Sequence, residues 1–155
     1  MSNNLPTSRD EVSPAARVGL FGELISLVIR FQKFILVGTV GFAVNMLGLF
    51  VLTDWARLFY VASSFLAIEL SLFVTFALNE RWTWADRRTG SIVTRFWKYQ
   101  AINGIGIGIN VAVLFVLTEY GGFHYIFSNV WGAAVAAIWN FGANHRLTWT
   151  ARLRP

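Results

Sequence analysis

The sequence predicts an all-α polytopic membrane protein: four transmembrane helices arranged as two tandem two-helix repeats, preceded by a short interfacial amphipathic helix. Three observations predict it. The 155 residues are 55% hydrophobic and only 14% charged, against roughly 25% charged in an ordinary soluble domain. Four apolar stretches approach the roughly 20 residues that a hydrocarbon core about 30 Å thick requires of a spanning helix. A 65-residue offset superposes one half of the chain on the other without gaps.

Residues 1–29 are expected to be a cytoplasmic tail and interfacial helix. Residues 1–17 carry Pro6, Asp10, Glu11 and Pro14 and few large apolar side chains, so they offer little burial to offset the entropy of ordering. They lack a basic start followed by an apolar run, and the tail is expected to be retained rather than cleaved. From Val18 to Ile29 the pattern becomes amphipathic. Leu20, Phe21, Leu24, Ile25 and Val28 take one side and Gly19, Gly22, Glu23 and Ser26 another, as in a helix lying in the membrane interface.

The first repeat is residues 30–84, with spans at about 34–52 and 60–79; a cytoplasmic linker covers 85–94; the second repeat is 95–149, with spans at about 99–117 and 125–144; and 150–155 is a cytoplasmic tail. Glu69 is the one ionisable side chain well inside a span. Trp55, Tyr60, Trp82, Trp84, Trp97, Tyr99, Tyr120, Tyr125 and Trp149 gather near the span ends, as in an aromatic belt.

The formal charge of +5 raises the question of nucleic acid, and the placement of the basic residues decides it for the membrane. Twelve of the 13 Lys and Arg lie before the first span, in the middle loop or after the last span, and only Arg57 lies in the other two loops. Basic residues in short loops stay cytoplasmic, so both termini and the middle loop are expected inside. With no cysteine, thiol catalysis and thiolate metal sites are excluded.

The repeat is the most specific signal. Arg30–Trp84 aligns with Arg95–Trp149, with about 17 of 55 positions identical. Matched Arg30/Arg95, Lys33/Lys98, Gly41/Gly106, Asn45/Asn110, Asn79/Asn144, Arg81/Arg146 and Thr83/Thr148 do not follow from shared hydrophobicity. Two spans per unit make the copies enter from one side, giving a parallel repeat about an axis along the membrane normal.

The start Arg30-Phe31-Gln32-Lys33-Phe34, the glycine-containing first span with Asn45, and the doubled ending Asn-x-Arg-x-Thr-Trp at Asn79–Trp84 and Asn144–Trp149 resemble the GtrA family of bacterial membrane proteins over residues 30–149. The family more often ends that motif with Phe, and Trp keeps an aromatic anchor there. The resemblance implies flipping of a polyprenyl-phosphate-linked monosaccharide from the cytoplasmic to the outer leaflet of the bacterial inner membrane, for cell-surface polysaccharide glycosylation.

Such a task needs cations for phosphate and polar groups for sugar. Arg81 and Arg146, then Arg30, Lys33, Arg95 and Lys98, are the phosphate candidates, since guanidinium grips phosphate through paired hydrogen bonds. The alternative is that they enforce topology and snorkel to headgroups. Glu69, near mid-bilayer, is a candidate for sugar binding or proton coupling, or else a protonated carboxyl bonded to Asn45 or Asn110. Asn45, Asn110, Asn103 and Asn140 are amides for sugar hydroxyls, or interhelical pairs. Gly104-xxx-Gly108 and the small residues Gly132, Ala133, Ala136 and Ala137 read as close-packing surfaces.

No cofactor and no metal are expected, and no enzymatic activity, because no nucleophile–base pair or acid/base pair is apparent. No G-x-x-x-x-G-K-[ST] loop is present, so energy is expected from a gradient or from product consumption. Expected partners are the sugar lipid, membrane lipids, possible recruitment of a glycosyltransferase, and further copies in a parallel homo-oligomer. Two other functions fit the residues: a non-transporting scaffold for a glycosyltransferase, and a proton-coupled small-molecule exporter using Glu69.

Overall fold

The computed structural model describes the backbone of residues 14–150 and the side chains of residues 22–150. The expectations for residues 1–13 and 151–155, and for the side-chain pattern of residues 18–21, lie outside the described residues. Helix α1 runs Pro14–Phe50, α2 Tyr60–Leu78, α3 Ile92–Glu119 and α4 Tyr125–Ala143. Three single π-helical segments extend α1, α2 and α4: Val51–Trp55, Asn79–Thr83 and Asn144–Thr148. Among the described residues, four helices are long and apolar enough to cross a membrane, as a multi-pass membrane protein requires.

Val18–Ile29 is helical, but no break separates it from the first span. Between Gly22 and Gly38 there is neither Gly nor Pro to stop a helix, so α1 continues through residue 30. Its 37 residues reach about 55 Å at 1.5 Å per residue, well beyond the ~30 Å hydrocarbon core.

The helices pair as hairpins, α1 on α2 and α3 on α4, and the hairpins meet each other only lightly along their length. Large apolar side chains face outward, among them Leu36, Phe42, Phe65, Ile107 and Ile138. In water that surface would be a severe liability, whereas in lipid it is the solvated face. Close approach within each hairpin relies on small residues. A Cβ at Gly48 would meet the Ala67 side chain at 3.3 Å, and one at Gly132 would meet the Asn110 carbonyl at 2.7 Å. The expected Gly104-xxx-Gly108 packing surface is corrected here, because both glycines face open space. Gly106, between them, is the packing position: a Cβ there would run into the Asn140 amide.

The two hairpins turn alike. Ala56 N donates to Val51 O and Leu58 N to Leu52 O, and 65 residues later Gly121 N donates to Val116 O and Phe123 N to Leu117 O. The left-handed residue of that turn is Arg57, with φ 55°, in the first hairpin and Gly122, with φ 67°, in the second.

The core is aromatic and sits at the end of the bundle that carries the middle loop, called here the basic end. Phe34, Phe76, Trp84, Tyr99, Phe141 and Trp149 form it. Its contacts come in matched pairs. Phe31 meets Phe141 edge-on at 5.1 Å and Phe96 meets Phe76 edge-on at 5.2 Å. Phe34 meets Phe141 at 5.7 Å and Tyr99 meets Phe76 at 5.6 Å. Each pair is related by the 65-residue offset. The arrangement therefore has the self-complementarity of a twofold interface, in which residue i of one unit touches j of the other and j touches i.

Candidate functional site

Two constellations lie on this pseudo-twofold. The first is the clamp at the basic end. The π segments Asn79–Thr83 and Asn144–Thr148 insert an extra residue into the last turn of each hairpin, which re-aims the following side chain. Trp84 and Trp149 are thereby brought together, both fully buried, with rings stacked at 4.3 Å and 3° apart in plane.

Around the stack the symmetry breaks at one matched position, Glu80 in the first unit and His145 in the second. Glu80 accepts from Arg95 through Nε at 3.1 Å and Nη2 at 2.5 Å, and from Trp149 Nε1 at 2.7 Å. Arg95 Nη1 donates to the Thr89 and Gly90 carbonyls. His145 instead lies between two donors, with Arg87 Nη1 3.0 Å from Nε2 and Trp84 Nε1 3.4 Å from Nδ1. Arginine has donors only, so Nε2 carries the lone pair and a neutral ring places its own N–H toward Trp84. The length of that second contact follows. Arg30, the counterpart of Arg95, turns to the loop and grips Asp86 with two bonds of 2.8 and 2.9 Å, while also donating to the Thr83 carbonyl. The Arg30 guanidinium holds the Asp86 carboxyl down at about 2, against the smaller opposing effect of partial burial.

The second constellation is a groove between the two units, just beyond the aromatic core, with a volume of about 570 Å³. It straddles the pseudo-axis: its walls include the matched pairs Phe34/Tyr99, Gly41/Gly106 and Thr75/Asn140. Gly41 and Gly106 are both required by close approach, since a Cβ on either would collide with Thr75 or Asn140 respectively. Tyr99 Oη donates to Thr75 Oγ1 at 2.9 Å, and Asn103 Nδ2 donates to the Tyr99 carbonyl at 2.8 Å. Asn79 is 1% exposed and lines the groove beside the Tyr99 hydroxyl, with neither amide atom in hydrogen-bonding geometry among the described residues. Asn140 Oδ1 is also buried there without a partner.

The candidates named from sequence separate on this geometry. Asn103, Asn110 and Asn140 line the groove, and Asn45 and Glu69 do not. Glu69 accepts from Gln100 Nε2 at 3.0 Å, across α2 and α3, rather than pairing with Asn45 or Asn110. Arg95 is buried with its guanidinium occupied by Glu80 and two carbonyls, and Arg30 is held by Asp86. Lys98 Nζ donates to the Leu147 carbonyl, and Lys33 sits over the Trp82 ring at 5.6 Å, a cation–π contact. Arg81 and Arg146 are exposed and make no ion pair or side-chain hydrogen bond among the described residues. Asn79, Thr75, Tyr99, Glu80 and His145 were not among the candidates. Asn79 carried a signal, being half of a matched Asn pair, whereas the Glu80/His145 mismatch drew no attention because the two residues are unlike.

Residues 33–149 match the family described as GtrA/DPMS, transmembrane domain. The chain belongs to this family. Among curated proteins, the chain is 33% identical over 122 residues to a dolichol-phosphate mannosyltransferase of Pyrococcus furiosus, an alignment covering 77% of this chain. The matched part is 34% of that relative. The GtrA/DPMS match begins at Lys33 and ends at Trp149, and so takes in both the groove and the tryptophan clamp.

Proposed function

We propose that this chain carries a polyprenyl-phosphate-linked monosaccharide from the cytoplasmic to the outer leaflet of the bacterial cytoplasmic membrane, for use by a separate glycosyltransferase in cell-surface polysaccharide. The observation that carries the reading is the open groove between the units. It is within the range of 300–1,000 Å³ typical of small-molecule sites, and amides and hydroxyls form the polar part of an otherwise apolar wall. A sugar needs the former and the tail of its lipid the latter. The exposed Arg81 and Arg146 at the basic end are suited to the phosphate. The basic bias of the loops supports a cytoplasmic position for that end and for both termini. The relative's name, a dolichol-phosphate mannosyltransferase, supports a sugar carried on a polyprenyl phosphate.

An open groove also gives a second copy something to complete, and a parallel homo-oligomer is part of the proposal. The test is reconstitution in liposomes with a labelled polyprenyl-phosphate hexose. Faster transbilayer movement than in protein-free liposomes supports the reading, and equal rates end it.

One observation favours a second reading. The matched region is only about a third of a relative named as a transferase, as would be expected of a membrane unit that recruits a glycosyltransferase without transporting anything. On that reading Arg81→Ala and Glu69→Gln leave glycan synthesis intact, while substitutions on the outer helix faces break the complex. The exporter reading draws no support from Glu69, which lies outside the groove and is bonded to Gln100.

A further inference from the structure

We infer that the groove selects an uncharged, hydroxyl-rich headgroup, and that Asn79 is the residue that reads it. This rests on the proposed lipid-sugar function and narrows its substrate class to neutral monosaccharides, as against amino sugars and uronic acids.

Two independent observations carry it. The first is the chemistry of the wall: the described residues that line the groove include no Asp, Glu, Lys, Arg or His. A charged headgroup leaving water for such a wall loses its hydration and gains no counter-charge, whereas hydroxyls exchange water for amide and hydroxyl partners nearly evenly. The second is the orphaned amide. Asn79 and Asn144 are matched residues, both buried. Asn144 Oδ1 accepts from Thr148 Oγ1 at 2.8 Å and does not line the groove. Asn79 has the equivalent Thr83 at hand, yet both its amide atoms and Thr83 Oγ1 are unpartnered among the described residues, and Asn79 lines the groove. Asn144 Nδ2 is unpartnered as well, so what sets Asn79 apart is that its oxygen is open too and that it lines the groove, where a ligand can reach a buried amide left without partners. One donor pair and one acceptor suit vicinal hydroxyls, which both donate and accept.

The test uses the full chain in detergent, reporting binding through Trp fluorescence, and in liposomes, reporting movement. The probes are polyprenyl-phosphate hexose, the matching aminohexose and hexuronate lipids, and a free methyl hexoside. The hexose lipid is expected to bind at least 10-fold more tightly than either charged lipid, and Asn79→Ala to lose about 10-fold for the hexose lipid. Asn144→Ala controls for a purely structural effect and leaves that ratio unchanged. Equal binding of all three lipids, an Asn79→Ala protein that binds like the parent, or binding of the free hexoside in preference to the lipid overturns the inference. Selective binding without transbilayer movement would instead overturn the carrier function and leave the headgroup class standing.

Discussion

Trp84 and Trp149, 65 residues apart and equivalent in the two units, stack face to face at 4.3 Å with planes 3° from parallel. The pseudo-axis passes between them, and the two hairpins are joined mainly there. Such a stacked pair in the core adds about 0.5–1.5 kcal/mol beyond the burial of the two rings. Because the hairpins otherwise touch lightly, that stack and its immediate partners set how firmly one unit is held against the other.

Trp84→Ala or Trp149→Ala is therefore expected to cost about 3–5 kcal/mol, read as a lowered melting temperature in detergent. The Phe variants separate packing from hydrogen bonding. Trp149→Phe leaves a Glu80 oxygen short of the donor that stands 2.7 Å away, costing about 1–3 kcal/mol more than a lost contact alone. Trp84→Phe gives up only the long 3.4 Å approach to His145 and is expected to be the milder of the two. Equal losses would show that the Glu80 bond contributes nothing.

The Glu80–Arg95 pair is nearly fully buried, with side chains 7% and 8% exposed. Arg95→Met leaves the buried Glu80 carboxyl short of two hydrogen bonds and of its counter-charge, and such a break costs about 3–5 kcal/mol. Glu80→Gln with Arg95→Met removes both charges and is expected to recover a good part of that loss. A double-mutant cycle followed by thermal unfolding measures the coupling, and additive losses would show the two side chains to be independent. Arg81→Ala, on the exposed surface, is expected to change stability by no more than about 0.5 kcal/mol.

What could be read from the sequence, and what could not, follows from the range of each interaction. Span number depends on runs of apolar residues, which are local, so four helices long enough to span followed from composition alone. The unbroken α1 was missed because amphipathicity from Val18 to Ile29 marks a change of solvent, and a change of solvent need not end a helix. The basic residues at the repeated positions were all read as phosphate candidates, Arg81 and Arg146 first. Their partners, Glu80 for Arg95 and Asp86 for Arg30, are chosen by a loop geometry that no spacing rule encodes. The groove is longer-ranged still, since Asn79 and Asn140 meet one cavity only when two hairpins are docked. Glu69 drew attention as the one ionisable side chain well inside a span, although the groove between the units is lined by uncharged residues and does not include it.

Glycines in the third helix give a sharp contrast. Gly106→Ala places a methyl group against the Asn140 amide, whereas the same change at Gly104 or Gly108 meets nothing within 4 Å. Overpacking of this kind costs about 1–3 kcal/mol, and Ala at the two open positions is expected to be neutral or to stabilise by up to about 1 kcal/mol through better helix propensity. Melting temperatures of the three variants check this. A Gly106→Ala protein as stable as the other two would mean that Asn140 moves aside freely.

The loop contact gives a pH dependence whose sign is fixed. Asp86 is lowered from 3.8 to about 2 by the hydrogen bonds from Arg30. A carboxylate whose folded value is depressed contributes stability that is fully present above its unfolded value and is lost as pH falls through the folded one. The Arg30–Asp86 contribution is thus constant from neutral pH down to about 4 and fades between about 4 and about 2. Its size is small, because Asp86 is 60% exposed and solvent screens the pair to no more than about 1 kcal/mol. Asp86→Asn removes this dependence and lowers stability slightly at neutral pH. Thermal unfolding of the parent and the variant, compared between about pH 5 and about pH 2, should therefore converge as the solution becomes more acid. Curves that stay parallel throughout would show that Arg30 does not depend on Asp86 for its position.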